Sequence, residues 1–89
     1  MKKVIWKYKL RAVEKQCLAI PKGAEILSVQ LQGNNACLWA LVNPEEEKEI
    51  KTIGIFKTGN PIATDRQCKF IDTIQLYNGE LVFHVFELI

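Results

Sequence analysis

His84 is the one histidine in 89 residues, so acid–base or nucleophilic catalysis near neutral pH would have to run through it. It stands in the closing run LVFHVFELI, between Phe83 and Val85, on the strand face it shares with Val82, Phe86 and Leu88. A histidine among such neighbours is expected to be a hydrogen-bonded structural side chain, and no catalytic residue is assigned. Cys17, Cys37 and Cys68 with His84 match a Cys₃His zinc site in number. Their gaps of 20, 31 and 16 residues, however, lack the close pairs that pre-orient zinc ligands. The thiols are read as small packed hydrophobes, and neither a metal nor a cofactor is expected. Asp65 and Asp72 flank a loop with no supporting glycosidase pattern, and Asp65-Arg66 reads as a local ion pair or a turn. No glycine-rich phosphate loop is present. The expectation is a protein that binds rather than catalyses.

Charge is where binding could be written. Residues 1–22 carry seven basic side chains against Glu14 alone, while residues 23–89 carry five basic and nine acidic ones. Lys7, Lys9 and Arg11 recur at every second position, which sets them on one face of an extended strand. A stripe of this kind can meet an anionic partner, or can compensate the acidic remainder of the chain on folding. Nucleic-acid binding by a sheet also calls for exposed aromatic side chains on which bases stack. Trp6 and Tyr8 fall on the opposite face of the same strand, which leaves phosphate contact as the readable part of that alternative.

The elements that must carry these residues read as short strands. Val4, Trp6, Tyr8, Leu10 and Ala12 alternate with Ile5, Lys7, Lys9, Arg11 and Val13, a strand with one buried and one wet face. Gln16 to Ile20 follows, stopped by Pro21-Lys22-Gly23, and then Glu25 to Gln32 with Leu27, Val29 and Leu31 on one side. Ala36 to Val42 is apolar on both faces and is expected to be central, with Trp39 in the core. Asn43-Pro44 opens an acidic loop that reads equally as a capped helical turn or a solvated hairpin loop. Glu49 to Lys57 contains Gly54, a mark of a bulge or of close backbone approach. Residues 62–68 are irregular, and Phe70 to Tyr77 joins the closing strand through Asn78-Gly79, a type I′ hairpin signal. That closing strand, Leu81 to Ile89, is apolar on both faces, as a central or doubly covered strand would be.

Seven short strands spaced by turn signals predict an all-β fold, a small antiparallel β-sandwich or barrel, in one domain spanning 1–89. Lysines on the first strand suit an edge, where they discourage unwanted pairing; self-assembly into a homo-oligomer is the other way of covering an edge. No apolar run approaches the about 20 residues of a membrane span. The odd, scattered cysteines and the lysine-interrupted N-terminus fit a cytoplasmic protein.

Several segments occur together in a familiar order. They are Ile5-Trp6-Lys7-Tyr8-Lys9-Leu10, Ile20 to Gln30, Leu38-Trp39-Ala40-Leu41-Val42-Asn43-Pro44, Thr58-Gly59-Asn60-Pro61-Ile62 and Leu81 to Glu87. Over nearly its whole length the chain resembles a family of small uncharacterised proteins of tailed bacteriophages and bacterial prophages. The resemblance brings no activity or cofactor. It implies a setting in the host-cell cytoplasm, and an accessory role against host defence exercised by binding a host protein or a small anionic, nucleotide-like ligand. In that setting the residues expected to bind are Lys7, Lys9, Arg11 and Lys22, with Thr58, Gly59 and Asn60 as a backbone nest.

Overall fold

A computed structural model describes residues 2–89 and arranges them in seven strands, with no helix among the described residues. The strands are β1 (Val4–Lys9), β2 (Lys15–Pro21), β3 (Glu25–Gln32), β4 (Asn35–Val42), β5 (Lys48–Lys57), β6 (Cys68–Leu76) and β7 (Leu81–Leu88). They form a three-stranded sheet in the order β1-β4-β3 and a four-stranded sheet in the order β2-β5-β7-β6, with every pairing antiparallel. The two doubly apolar segments are the central ones. β4 is flanked by β1 and β3, and β7 by β5 and β6.

The sheets bury one face each against the other, as a two-layer β architecture requires. Trp6, Tyr8 and Leu10 from β1 and its exit meet Leu38, Ala40 and Val42 of β4, and the opposite sheet supplies Ile20, Ile53, Ile55, Ile74 and Val85. Two β-bulges tune which side chains reach this layer. One shifts the β3–β4 register between Ile26 and Ser28, the other the β6–β7 register between Phe70 and Asp72. The first overturns the simple alternation expected for β3. Ile26, Val29 and Leu31 pack on the core, while Leu27, taken up by the bulge, is exposed. Beside the bulges the sheets are stitched together, the Val29 amide donating to Asp72 Oδ2 at 3.3 Å.

Trp39 departs from its expected place. It pairs with Lys7 and Ser28 on the outer face of the three-stranded sheet, half-buried, with Lys7 Nζ 5.9 Å from its ring centroid. A strand apolar on both faces leaves parity undecided, and it is Leu38 and Ala40 that enter the core.

β5 and β6 both run antiparallel to β7, hence parallel to each other, so residues 58–67 must carry the chain back along the sheet. The inner face is occupied, and this crossover runs over the outer one. Lys15 Nζ donates to the Ala63 carbonyl at 3.3 Å, and an Arg66 guanidinium nitrogen donates to the Leu88 carbonyl at 2.8 Å. Phe56 and Leu88 face away from the inter-sheet core, yet only 3% and 2% of their surface is exposed. Gly54 is needed beneath them. A Cβ at that position would lie 2.6 Å from Phe56 Cε2 and 3.2 Å from Leu88 Cδ1. A turn joins β6 and β7 at Asn78-Gly79 as expected, but the loop runs over residues 77–80 between the paired Leu76 and Leu81 rather than over two residues. Tyr77, Asn78 and Gly79 have φ of 51°, 56° and 88°, and the Gly79 and Glu80 amides donate to the Leu76 and Tyr77 carbonyls at 3.2 and 3.1 Å. The acidic loop is a turn rather than a helix, with Asn43 Oδ1 accepting from the Glu45 amide and the Asn43 carbonyl from the Glu46 amide.

Candidate functional site

The chain leaves β1 at Lys9 and crosses to the opposite sheet through residues 10–14, three places pinning the crossing. The Leu10 amide donates to the Ala36 carbonyl and the Ile55 amide to the Glu14 carbonyl, each at 2.8 Å. Between them the buried Gln16 side chain mimics a strand partner for Arg11. The Arg11 amide donates to Gln16 Oε1 at 3.0 Å, and Gln16 Nε2 donates to the Arg11 carbonyl at 2.9 Å. The crossing holds the sheets apart at this end and walls a cavity of about 800 Å³, within the usual range for small-molecule sites.

The cavity is divided chemically. Leu10, Ile55 and Ile74, all buried, form its floor with the half-buried Leu76 and Phe83. The exposed residues Lys9, Arg11 and Lys57 line its rim, with Asn34, Asn35 and Asn60 and the single acidic residue Glu14. Three cations against one anion make the mouth net positive over a low-dielectric floor, an arrangement that attracts anions.

The far end of the sandwich holds a second cavity, of about 540 Å³, with a charged pair in its lining. Lys51 and Glu87 lie on the inward strand parity there, and Lys51 Nζ sits 3.2 Å from Glu87 Oε2 and 3.8 Å from Glu49 Oε1. The Lys51 and Glu87 side chains are only 19% and 15% exposed. Each therefore satisfies a charge that burial would otherwise make costly.

Of the residues expected to bind, the fold gathers Lys9, Arg11 and Asn60 at the cavity mouth. The others lie elsewhere. Lys7 is on the outer face of the three-stranded sheet, with its ammonium donating to Gln32 Oε1 at 2.7 Å. Lys22 is at the opposite end of the sandwich, 3.6 Å from Glu47. Thr58 turns to the outer face of the four-stranded sheet, and Gly59, with φ +88°, shapes the turn closed by the Asn60 amide and the Lys57 carbonyl at 3.0 Å. With that amide already committed, the turn makes no backbone nest at Asn60.

Lys57 joins the mouth without having been singled out. Its signal is parity, since it continues the face of Ile53 and Ile55 on one strand. The floor, drawn from four strands and a crossing, has no local signature.

His84 is fully engaged. Its Nε2 shares a hydrogen bond with Thr58 Oγ1 at 2.7 Å, and its Nδ1 shares one with Thr73 Oγ1 at 3.1 Å. It ties the start of the crossover to β6 and β7. Beside it Phe86 packs against Phe56 and Phe70, with ring centroids at 6.3 and 5.6 Å. Cys17, Cys37 and Cys68 are all free thiols, and no cluster of three or more metal-binding side chains occurs among the described residues. No helix long and apolar enough to cross a membrane occurs among the described residues.

No curated protein and no solved structure matches the chain. One family model does, over residues 1–89, and the chain belongs to that family, described as Domain of unknown function (DUF7352).

Proposed function

We propose that this chain is a non-catalytic binding module that holds a small anionic ligand in the cavity between its sheets. The observation that carries this reading is the pairing of an apolar floor with the cations Lys9, Arg11 and Lys57 at the mouth of one opening. The floor gives the body of a ligand apolar contact, and charge-assisted hydrogen bonds from the mouth would hold its anionic group. The reading includes the setting implied by the sequence resemblance, a bacteriophage or prophage protein acting in the host cytoplasm by sequestering a ligand against host defence. A pocket of this size favours a small ligand over a host protein as the partner.

Native mass spectrometry of the protein purified from a bacterial host tests the reading. A small adduct retained by the wild type and lost in the Lys9→Gln, Arg11→Gln double variant supports it. A bare wild type that also takes up no small anion in titration refutes it, and the same spectra report whether the chain self-associates.

A second reading has one observation in its favour. Trp39 lies beneath Lys7 on the outer three-stranded face, with Ser28 opposite it on β3 and the Lys7 ammonium reaching on to Gln32. Cation and aromatic therefore meet on one sheet surface, as single-stranded nucleic-acid binding needs. An oligo-dT titration decides it. Binding that weakens steeply with salt and falls in Lys7→Gln and Trp39→Leu, but not in Lys57→Gln, would move the function to this face.

A further inference from the structure

We infer that the ligand of the end cavity has an apolar body, an aryl group of one or two fused rings or a compact branched chain bearing one anionic group, and is not a nucleotide. This rests on the reading above that the cavity is a binding site, and it adds the class of molecule.

The floor decides the body. None of the side chains of Leu10, Ile55, Ile74, Leu76 and Phe83 offers a hydrogen-bond partner. The backbone groups nearest to them are committed, since the Leu10 amide donates to Ala36 and the Ile55 amide to Glu14. A nucleobase seated there would lose its water and leave ring nitrogens and exocyclic groups unpaired, a cost no apolar contact recovers. An aryl or branched alkyl body loses nothing of that kind and gains contact with Phe83 and the aliphatic floor.

Depth sets the size. Lys57 at the mouth and Ile55 at the floor are two residues apart on β5, as are Leu76 and Ile74 on β6. Two residues of strand span about 7 Å, room for a ring standing on edge but too little for a long acyl chain. The mouth sets the charge. The Arg11 guanidinium offers a planar fork suited to a carboxylate, sulfonate or phosphate ester, and its backbone is held by Gln16 from both sides. Lys9 and Lys57 complete the charge, while the Asn34, Asn35 and Asn60 amides can accept or donate around it.

Titration with three probes, followed by calorimetry and by amide NMR shifts, tests this. The probes are 2-naphthoate, its neutral analogue 2-naphthalenemethanol, and adenosine 5′-monophosphate. The expected result is binding of 2-naphthoate with shifts at Leu10, Ile55, Ile74 and Phe83, about tenfold weaker for the neutral analogue, with no binding of the nucleotide. Arg11→Gln, a change at an exposed side chain, lowers naphthoate affinity by a similar factor while leaving the unliganded spectrum elsewhere unchanged. Nucleotide binding at these residues in preference to naphthoate overturns the apolar body but leaves the anion site standing. Equal binding of naphthoate and its neutral analogue overturns the anion site. Shifts confined to other surfaces, or none with any probe, overturn both.

Discussion

Gly54→Ala gives the sharpest test of how the outer aromatic layer is packed, because two effects of opposite sign compete in one methyl group. Were the position open, alanine in a strand interior would stabilise the protein by about 0.5–1 kcal/mol, since glycine gives up more backbone freedom on folding. The structure does not leave it open. The new Cβ would lie 2.6 Å from Phe56 Cε2, 2.9 Å from Phe56 Cζ and 3.2 Å from Leu88 Cδ1. The phenyl ring cannot swing clear at low cost, being 3% exposed and packed against Phe86 beneath the crossover. Overpacking of this kind costs about 1–3 kcal/mol, which exceeds the entropic gain. The net expectation is a loss of about 1–2 kcal/mol, a fall in Tm of several degrees in a domain of this size. Thermal and urea unfolding followed by circular dichroism measure it. A second variant locates the cause, because Phe56→Leu removes the ring atoms that clash. Gly54→Ala should then cost less in the Phe56→Leu background than alone, a coupling of about 1 kcal/mol. If Gly54→Ala raises Tm, or if the two changes are additive, the close approach of Phe56 to the β5 backbone is not what holds glycine there.

Gln16→Leu should lose about 1–3 kcal/mol of stability in urea unfolding, because the Arg11 amide and carbonyl lose their partner in a part-buried crossing; an unchanged midpoint would show that the side-chain clamp is redundant. Burial pushes the Tyr8 phenol above its ordinary value, and its Oη, buried, has no hydrogen-bond partner. A raised folded pKa means stability that is complete below the unfolded pKa of about 10 and lost as pH rises through the folded one. Tyr8→Phe should therefore be neutral or stabilising at pH 7 and should flatten the decline in stability above about pH 10, whereas a clear loss at pH 7 would mean that the hydroxyl is satisfied. Tyr77 stands exposed with φ 51° ahead of Asn78 and Gly79. Replacing it with glycine should stabilise the hairpin by up to about 1 kcal/mol in thermal melts, and destabilisation would show that the tyrosine side chain contributes more than its backbone strain costs.

Periodicity and turn chemistry were enough to write the strand list and its class. Asn78-Gly79, Gly33-Asn34 and Pro21-Lys22-Gly23 bound the runs. Alternation marks some of them as strands, and for Ala36–Val42, whose length also allows a helix, the flanking turns decide, with the observed ends within two residues of those runs. The first strand is the exception. Its alternation continues to Val13, but the chain leaves the sheet after Lys9 and bends through residues 12–14 as it crosses between layers, the Val13 amide donating to the Arg11 carbonyl at 2.9 Å. The central places of β4 and β7 were also legible, because a strand with neighbours on both sides and cover on both faces takes apolar residues at most of its positions.

Parity fails where both faces are apolar or where a bulge resets it. Nothing local to Ala36–Val42 states that Trp39 faces out and Leu38 in, and nothing in Glu25–Gln32 announces that Leu27 is taken up by a bulge. The candidate site was half visible. Lys9 and Arg11 declared themselves by spacing, and Asn60 by its turn, but Lys7 and Lys22 share their charge and not their place. What the sequence alone determined is therefore which segments are strands and which residues carry charge, since backbone dihedrals, turns and side-chain alternation are local properties. Which strands pair, that Lys51 and Glu87 meet at one end of the sandwich, and that Lys9, Arg11 and Lys57 line a cavity at the other were decided only by tertiary structure. Those outcomes depend on contacts between residues far apart in the chain, and no local pattern carries them.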